Sequence, residues 1–458
     1  MKKITFFLFG LIALVACEAE LETEHANGLG DTSRMTRSGL TISPEEAATQ
    51  ALEFRNSILE QSGQTRGVKD EKGVASVYAW RSSEISPTSM TRSTVSELLP
   101  DTLLYIVNFE QNSGYTLVSA SKELPGVVAY IEEGELTPDD EIDNPGFQEY
   151  LKKYAESYAS IRDSNLPNGM GNISSIIPLE PVDTIGVLMD SIFPLHQYQM
   201  EEYIAPLLAT KWGQYEPYNQ ACPIINPVWN MHASAGCVAI AVAQVAAFYN
   251  YPTSCKGHLY DWDAILQDSV VLESNVAGAA SVAELVHDIG VMVNMHYAME
   301  SWTTISKIKH ALDTLGYHNR FEWTIKNGIL TPVEADFNSI KEDIVNRRPV
   351  IFSGEKEGSN SGHCWVIDGI AVKSMYEERI VIDENGLPRT ITTKFTKKYV
   401  HCNWGMSGVY NGWFCYGSYM TMWDVNTGQE IETEWMHQIL LGHFDLNNIA
   451  YYEVYPNP

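Results

Sequence analysis

The chain has 458 residues, 45% of them hydrophobic, and a formal net charge of −28. That length allows more than one domain. Acidic residues are spread along it with no basic stripe, which excludes a nucleic-acid surface. No phosphate-binding loop or dinucleotide fingerprint occurs, so no cofactor is expected.

Residues 1–17, MKKITFFLFGLIALVAC, place two lysines before a short apolar run. The run is too short to span a bilayer and reads as a secretory signal. Its end, Leu14-Val15-Ala16-Cys17, resembles a bacterial lipobox. Cys17 then becomes the lipid-bearing residue, and the membrane is met only through that lipid. A plain signal peptide cut nearby is the alternative. Residues 18–42 form a tether. Glu18, Glu20, Glu22 and Glu24 open it, either as a solvated spacer or, by their resemblance to surface-export signals, as an address for the face of a Gram-negative outer membrane.

Residues 43–165 read as a small α+β unit. Ser43-Pro44-Glu45-Glu46 is an N-cap with Pro at the first helical position, and a helix over 43–59 follows. Strands are expected at 75–80, 102–109, 114–119 and 126–132, and a second helix at 144–161. The unit has no catalytic set of its own. Asn165, Pro167, Asn168, Gly169 and Gly171 then mark an exposed connection, taken as 166–200. Such connections are where proteolytic nicking concentrates. Residues 201–458 are long enough for one domain with a sizeable core.

Within that domain, residues 236–252 read GCVAIAVAQVAAFYNYP. A segment apolar all round belongs in a core, and about four helical turns fit before Pro252. Cys237 falls in the first turn, where free N–H groups and the helix dipole favour a thiolate. A thiolate nucleophile needs a base that titrates near neutrality. His363 opens an alternating run in SGHCWVIDG (361–369), with His363, Trp365 and Ile367 on one face and Cys364, Val366 and Asp368 on the other. A further strand, YVHCNWG (399–405), ends in Asn403-Trp404, and Asn can orient an imidazole. Further helices are expected over 282–295 and 305–315, a strand through Pro349 to 352, and a β-hairpin at 379–394 between His363 and Asn403. Trp212, Tyr218, Trp229 and Tyr249 read as core. His363-Cys364 and His401-Cys402 do not suggest zinc, because neighbours on a strand face opposite ways. Secretion permits disulfides, and the pairing of Cys222, Cys255, Cys364, Cys402 and Cys415 stays open.

The order Cys, His, Asn is that of papain-like proteases, and the flanks are more specific. WGQYEPYNQACP (212–223), the 236–252 segment, GHCWVIDG (362–369) and NWG (403–405) together resemble the streptopain-like C10 peptidases. SASKELPGVVAYIEEGEL (119–136) is similar to the prosegment of that family. The resemblance implies an α+β, papain-like catalytic domain behind a prosegment that acts as an intramolecular inhibitor. It also implies that Cys237 is the nucleophile, His363 the base and Gln214 an oxyanion donor beside the Cys237 N–H. Either Asn403 or Trp404 positions the imidazole, Trp404 by covering it. Two departures stand out. Met406 replaces a second Trp after Asn403-Trp404-Gly405, and the family's Gly-rich loop near the C-terminus is missing.

The reading is a secreted, lipid-anchored zymogen of a cysteine endopeptidase. It is expected to be a monomer acting on proteins or peptides, with the catalytic domain released on maturation. Two other classes stay open: a transglutaminase-like or amidase acyl transferase using the same Cys-His pair, and a non-enzymatic surface-binding lipoprotein.

Overall fold

The computed structural model describes residues 41–63, 73–81, 102–121, 126–163, 198–321, 323–326, 329–332, 336–355, 362–382, 387–424, 430–431 and 449–457. The expected signal with Cys17, most of the tether, the last two residues of the 43–165 unit and residues 166–197 of the connection lie outside these.

The N-terminal unit forms as its sequence predicts. Helix α1 (Pro44–Ser62) begins at Ser43, whose Oγ accepts the Glu46 N–H at 3.2 Å, and ends at Gly63 with φ +74°. Strands β1 (Val74–Trp80), β2 (Leu104–Phe109), β3 (Tyr115–Ser119) and β4 (Val127–Ile131) pair antiparallel in that order. Helix α2 (Pro145–Asp163) is capped by Asn144, whose Oδ1 accepts the Phe147 N–H at 3.0 Å. Strand side chains alternate between faces, so each helix takes one face. Ala47, Ala51 and Phe54 of α1 cover Tyr105 and Val107, while Phe147, Tyr150 and Leu151 of α2 cover Leu104 and Ile106.

The rest of the chain supplies β5 (Gln199–Ile204), the hairpin β6 (Ile224–Asn226) and β7 (Met231–His232), and helix α3 (Cys237–Tyr249). After them come β8 (Ser254–Cys255), β9 (His258–Leu259), α4 (Trp262–Ile265), α5 (Val276–Met292) and α6 (Ile308–Leu315). Next are β10 (Tyr317–Arg320), the hairpin β11 (Trp323–Lys326) and β12 (Ile329–Pro332), and α7 (Phe337–Val345). Last come β13 (Val350–Glu355), β14 (Gly362–Ile382), β15 (Pro388–Asn403), β16 (Gly412–Asp424), β17 (Glu430–Ile431) and β18 (Ile449–Pro456). Helix α5 starts earlier than its apolar spacing suggested, because Asn275 caps it by accepting the Gly278 N–H at 3.0 Å. Helix α7 had no counterpart in the sequence reading. The hairpin expected at 379–394 is the far end of β14 and β15, which pair without a break from Gly369 to Ile382.

One sheet joins the two halves in the order β1-β2-β3-β4-β16-β15-β14-β13-β18-β10, with β5 on β14 and β17 on β16. The joint is β4 against β16, where Ile131, Tyr130 and Ala129 pair with Gly412, Trp413 and Phe414. The cores are shared as well. Phe147 packs edge-on to Phe414 at 5.3 Å, and Phe54 lies 4.6 Å from Tyr399. Lys373 of β14 is buried under α1, donating to Ser57 Oγ at 2.9 Å, and burial pushes its pKa down to about 8. On the other side, α3, α5 and α6 form a helical core against Cys364 and Val366 of β14. The six described cysteines are free thiols. Among the described residues no helix is long and apolar enough to cross a membrane.

Candidate active site

Cys237 is the first residue of α3, and Gly236 before it has φ +87°. A Cβ at 236 would lie 2.5 Å from the Met295 Cε. Glycine is therefore favoured by the positive φ, while the Met295 methyl is the end of a flexible side chain that can give way. His363 stands near the start of β14, opposite Gly354 of β13, and is 5% exposed. The two side chains hydrogen-bond to each other.

Their ionisation follows from that contact. Burial pushes the Cys237 thiol up, but the His363 side-chain bond and charge, with the N–H groups of Cys364 and Val238, hold it below the usual thiol range. Burial likewise works against the His363 cation. The bond and charge of Cys237 and the Trp404 carbonyl outweigh it and raise His363. Both directions favour a thiolate–imidazolium pair.

The second ring nitrogen, Nε2, donates to the Trp404 carbonyl at 2.9 Å. The Trp404 ring is fully buried, 6.0 Å from the imidazole, and is wedged between Trp365 at 4.7 Å and Phe414 at 5.2 Å. Trp404 thus covers the imidazole and also bonds it, through its backbone. Asn403 does not orient the ring, which corrects that half of the expectation. Its Nδ2 donates to the Thr210 carbonyl at 2.7 Å, and its Oδ1 accepts from Gln244 Nε2 at 3.2 Å and Gly405 N–H at 3.3 Å. With its amide committed on that side, the backbone carbonyl of its neighbour is what reaches the ring.

Gln214 lies in the segment beside the helix entry. Its carbonyl accepts the Ala235 N–H at 2.8 Å, two residues before Cys237, and the Ser407 N–H donates to the Trp212 carbonyl at 2.9 Å. Its side chain is half-buried. The fold therefore brings Cys237, His363 and Trp404 to one place, with the backbone of Gln214 beside the helix entry and Asn403 behind them. Trp212 and Tyr218 are core as expected, at 0% and 3% exposure, but Trp229 is 78% exposed at the turn between β6 and β7. At that turn its ring stays in solvent.

Several buried polar residues around the site carry no local signal of their role. Asn411 accepts the Trp404 N–H at 3.0 Å. Gln244 is fully buried on α3, and a lone amide in an apolar helix signals a paired group. His401, in a His-Cys dipeptide, pairs with carboxylates. It bonds Asp368 Oδ1 at 2.6 Å and lies 3.7 Å from Glu132 of the N-terminal unit. Burial opposes its charge, but the two carboxylates outweigh it and push His401 up to about 10.

A thiol at a helix entry in contact with a strand-borne imidazole, on an α+β domain with an attached N-terminal unit, is the architecture of a thiol protease with a prosegment. Residues 212–414 match the Peptidase C10 family, and residues 40–158 match the Spi protease inhibitor family. Streptopain of Streptococcus pyogenes serotype M1 is 25% identical over 345 residues, 68% of this chain and 73% of that protein. The thiol protease/hemagglutinin PrtT of Porphyromonas gingivalis is 23% identical over 336 residues, 69% of this chain and 34% of that protein. A prointerpain A fragment of Prevotella intermedia is a structural neighbour with 18% identity and a TM-score of 0.46, covering 79% of this chain and 98% of that one. The chain is thus a streptopain-like cysteine endopeptidase whose residues 212–414 match the peptidase C10 family, behind a Spi inhibitor-like prosegment domain.

Proposed function

We propose that the chain is a secreted zymogen that cleaves proteins or peptides through Cys237 and His363. The observation that carries this is the Cys237–His363 bond at the N-terminus of α3, with the far ring nitrogen held by the Trp404 carbonyl. The thiolate attacks the scissile carbonyl carbon and a C–S bond forms. Gln214 and the Cys237 N–H donate to the oxyanion. His363 gives its proton to the leaving amine, and the C–N bond breaks. It then takes a proton from water, whose hydroxide adds to the acyl carbon; the C–S bond breaks, the acid product leaves, and the thiolate–imidazolium pair is restored.

The N-terminal unit keeps the enzyme latent until it is cut off. That Cys237 and His363 act on each other's ionisation with the unit docked supports latency by obstruction rather than by separation of the pair. Sheet addition at β16 and the packing of α2 behind Trp404 support a prosegment that obstructs substrate while bracing the site. Lipidation of Cys17 anchors the zymogen at the outer membrane or cell surface, and processing within 166–200 frees a monomeric catalytic domain.

The test is Cys237→Ala and His363→Ala in the full chain. Both are expected to abolish peptide cleavage and to leave the prosegment attached, with the fold unchanged. Near wild-type turnover in either variant would sink the assignment.

A further inference from the structure

We infer that Gln244 is a positioning residue that locks both halves of the site to the nucleophile helix; this rests on the reading of Cys237 and His363 as the catalytic pair. Gln244 sits about two turns below Cys237 on α3 and is 0% exposed. Its Oε1 accepts from the Trp212 N–H at 3.2 Å and the Thr210 hydroxyl at 3.0 Å. Its Nε2 donates to Asn403 Oδ1 at 3.2 Å.

The two ends of the amide thus reach two separate stretches of chain. The acceptor end fixes the segment that leads into Gln214, the oxyanion donor. The donor end fixes Asn403, next to the Trp404 carbonyl that holds His363 Nε2. Asn403 completes the clamp by donating to the Thr210 carbonyl at 2.7 Å, so Thr210, Gln244 and Asn403 form a closed ring of bonds. The three catalytic groups sit on three elements distant in sequence, and Gln244 is the side chain that ties all three together. Buried polar networks of this kind are rigid when every member is satisfied and costly when one is lost. A displacement of about 1 Å between reacting groups is enough to lower turnover about 10²-fold.

The experiment uses Gln244→Met and Gln244→Glu in the full chain. Met keeps the volume and removes every bond. The Glu carboxyl, buried, has its pKa raised. While protonated it can still donate to Asn403 and accept from Trp212; once ionised it can only accept. Three readouts are taken: kcat and KM per titrated site after processing by wild-type enzyme, the pH profile of kcat, and the pH profile of iodoacetamide alkylation at Cys237, followed by peptide mass. Gln244→Met is expected to lower kcat roughly 10–100-fold with KM within about twofold, and to shift the alkylation midpoint upward. Gln244→Glu is expected to hold turnover at low pH and lose it as the introduced carboxyl ionises, a step absent from wild type.

A kcat within about twofold of wild type in a folded Gln244→Met protein, with an unmoved alkylation profile, would overturn the proposal. So would a Gln244→Glu profile that superimposes on wild type, which decides the matter should the Met variant fail to fold. Alkylation does not depend on peptidase activity. A wild-type protein that cleaves no peptide therefore refutes the functional reading, while the alkylation profiles still judge the clamp.

Discussion

Gly146→Ala tests how tightly the prosegment is fitted to the active site. Gly146 is the second residue of α2, and a Cβ there would lie 2.5 Å from Trp404 Cζ3 and 3.2 Å from Cε3. The indole cannot yield, because it is fully buried between Trp365 and Phe414. Overpacking of this sort costs about 1–3 kcal/mol. Replacing Gly by Ala in a helix returns at most about 1 kcal/mol, and less in the first turn. The clash therefore wins by about 1–2 kcal/mol, a factor of about 5–30 in an equilibrium constant. The assay uses full chains that also carry Cys237→Ala, so that no self-digestion occurs, with an engineered cleavage site between Asn165 and Tyr203. After cutting, the dissociation constant of the prosegment is measured. A rise of about 5–30-fold is expected. An unchanged or tighter constant would refute the reasoning, since it would mean that α2 can shift without cost or that helix propensity outweighs the contact with Trp404.

Gln214→Ala is expected to lower kcat by about 10²–10³ with the thermal midpoint nearly unchanged; a fall in stability with normal turnover per folded molecule would make it a structural residue. His401 gives a pH test. Its folded value, about 10, lies above the ordinary 6.5, so its contribution to stability is present in full below 6.5 and is lost as pH rises through about 10. Urea midpoints measured across that window should fall with pH, and a folded His401→Gln protein should show a flatter dependence; parallel curves for the two proteins would exclude His401 as the cause. Cys17→Ala should end palmitate labelling and move the protein to the soluble fraction, and continued labelling would refute the lipid anchor.

Much of the domain architecture is written in local patterns. Ser43-Pro44-Glu45-Glu46 announces α1 because capping is satisfied within a few residues. The apolar run after Cys237 announces a buried helix, and the alternation after His363 announces a strand whose two faces enter different cores. Cys237 and His363 were legible for the same reason: each opens an element whose type is fixed by its neighbours. Gln214 could be named only by resemblance, since nothing local to a Gln before Pro-Tyr-Asn marks it as a donor.

What the tertiary structure decided are the contacts between segments distant in the chain. Asn403 and Trp404 are adjacent, and no local pattern says which of them meets His363. The answer depends on Thr210 and Gln244 engaging the Asn403 amide, which leaves the Trp404 carbonyl for the ring. The His401–Asp368–Glu132 group needs β4 of the prosegment to lie against β16 before Glu132 comes near the imidazole. Helix periodicity and strand alternation are properties of consecutive residues, so sequence carries them directly. A buried polar group needs a partner too, but that requirement states only that one exists; the packing of the whole chain selects which residue it is.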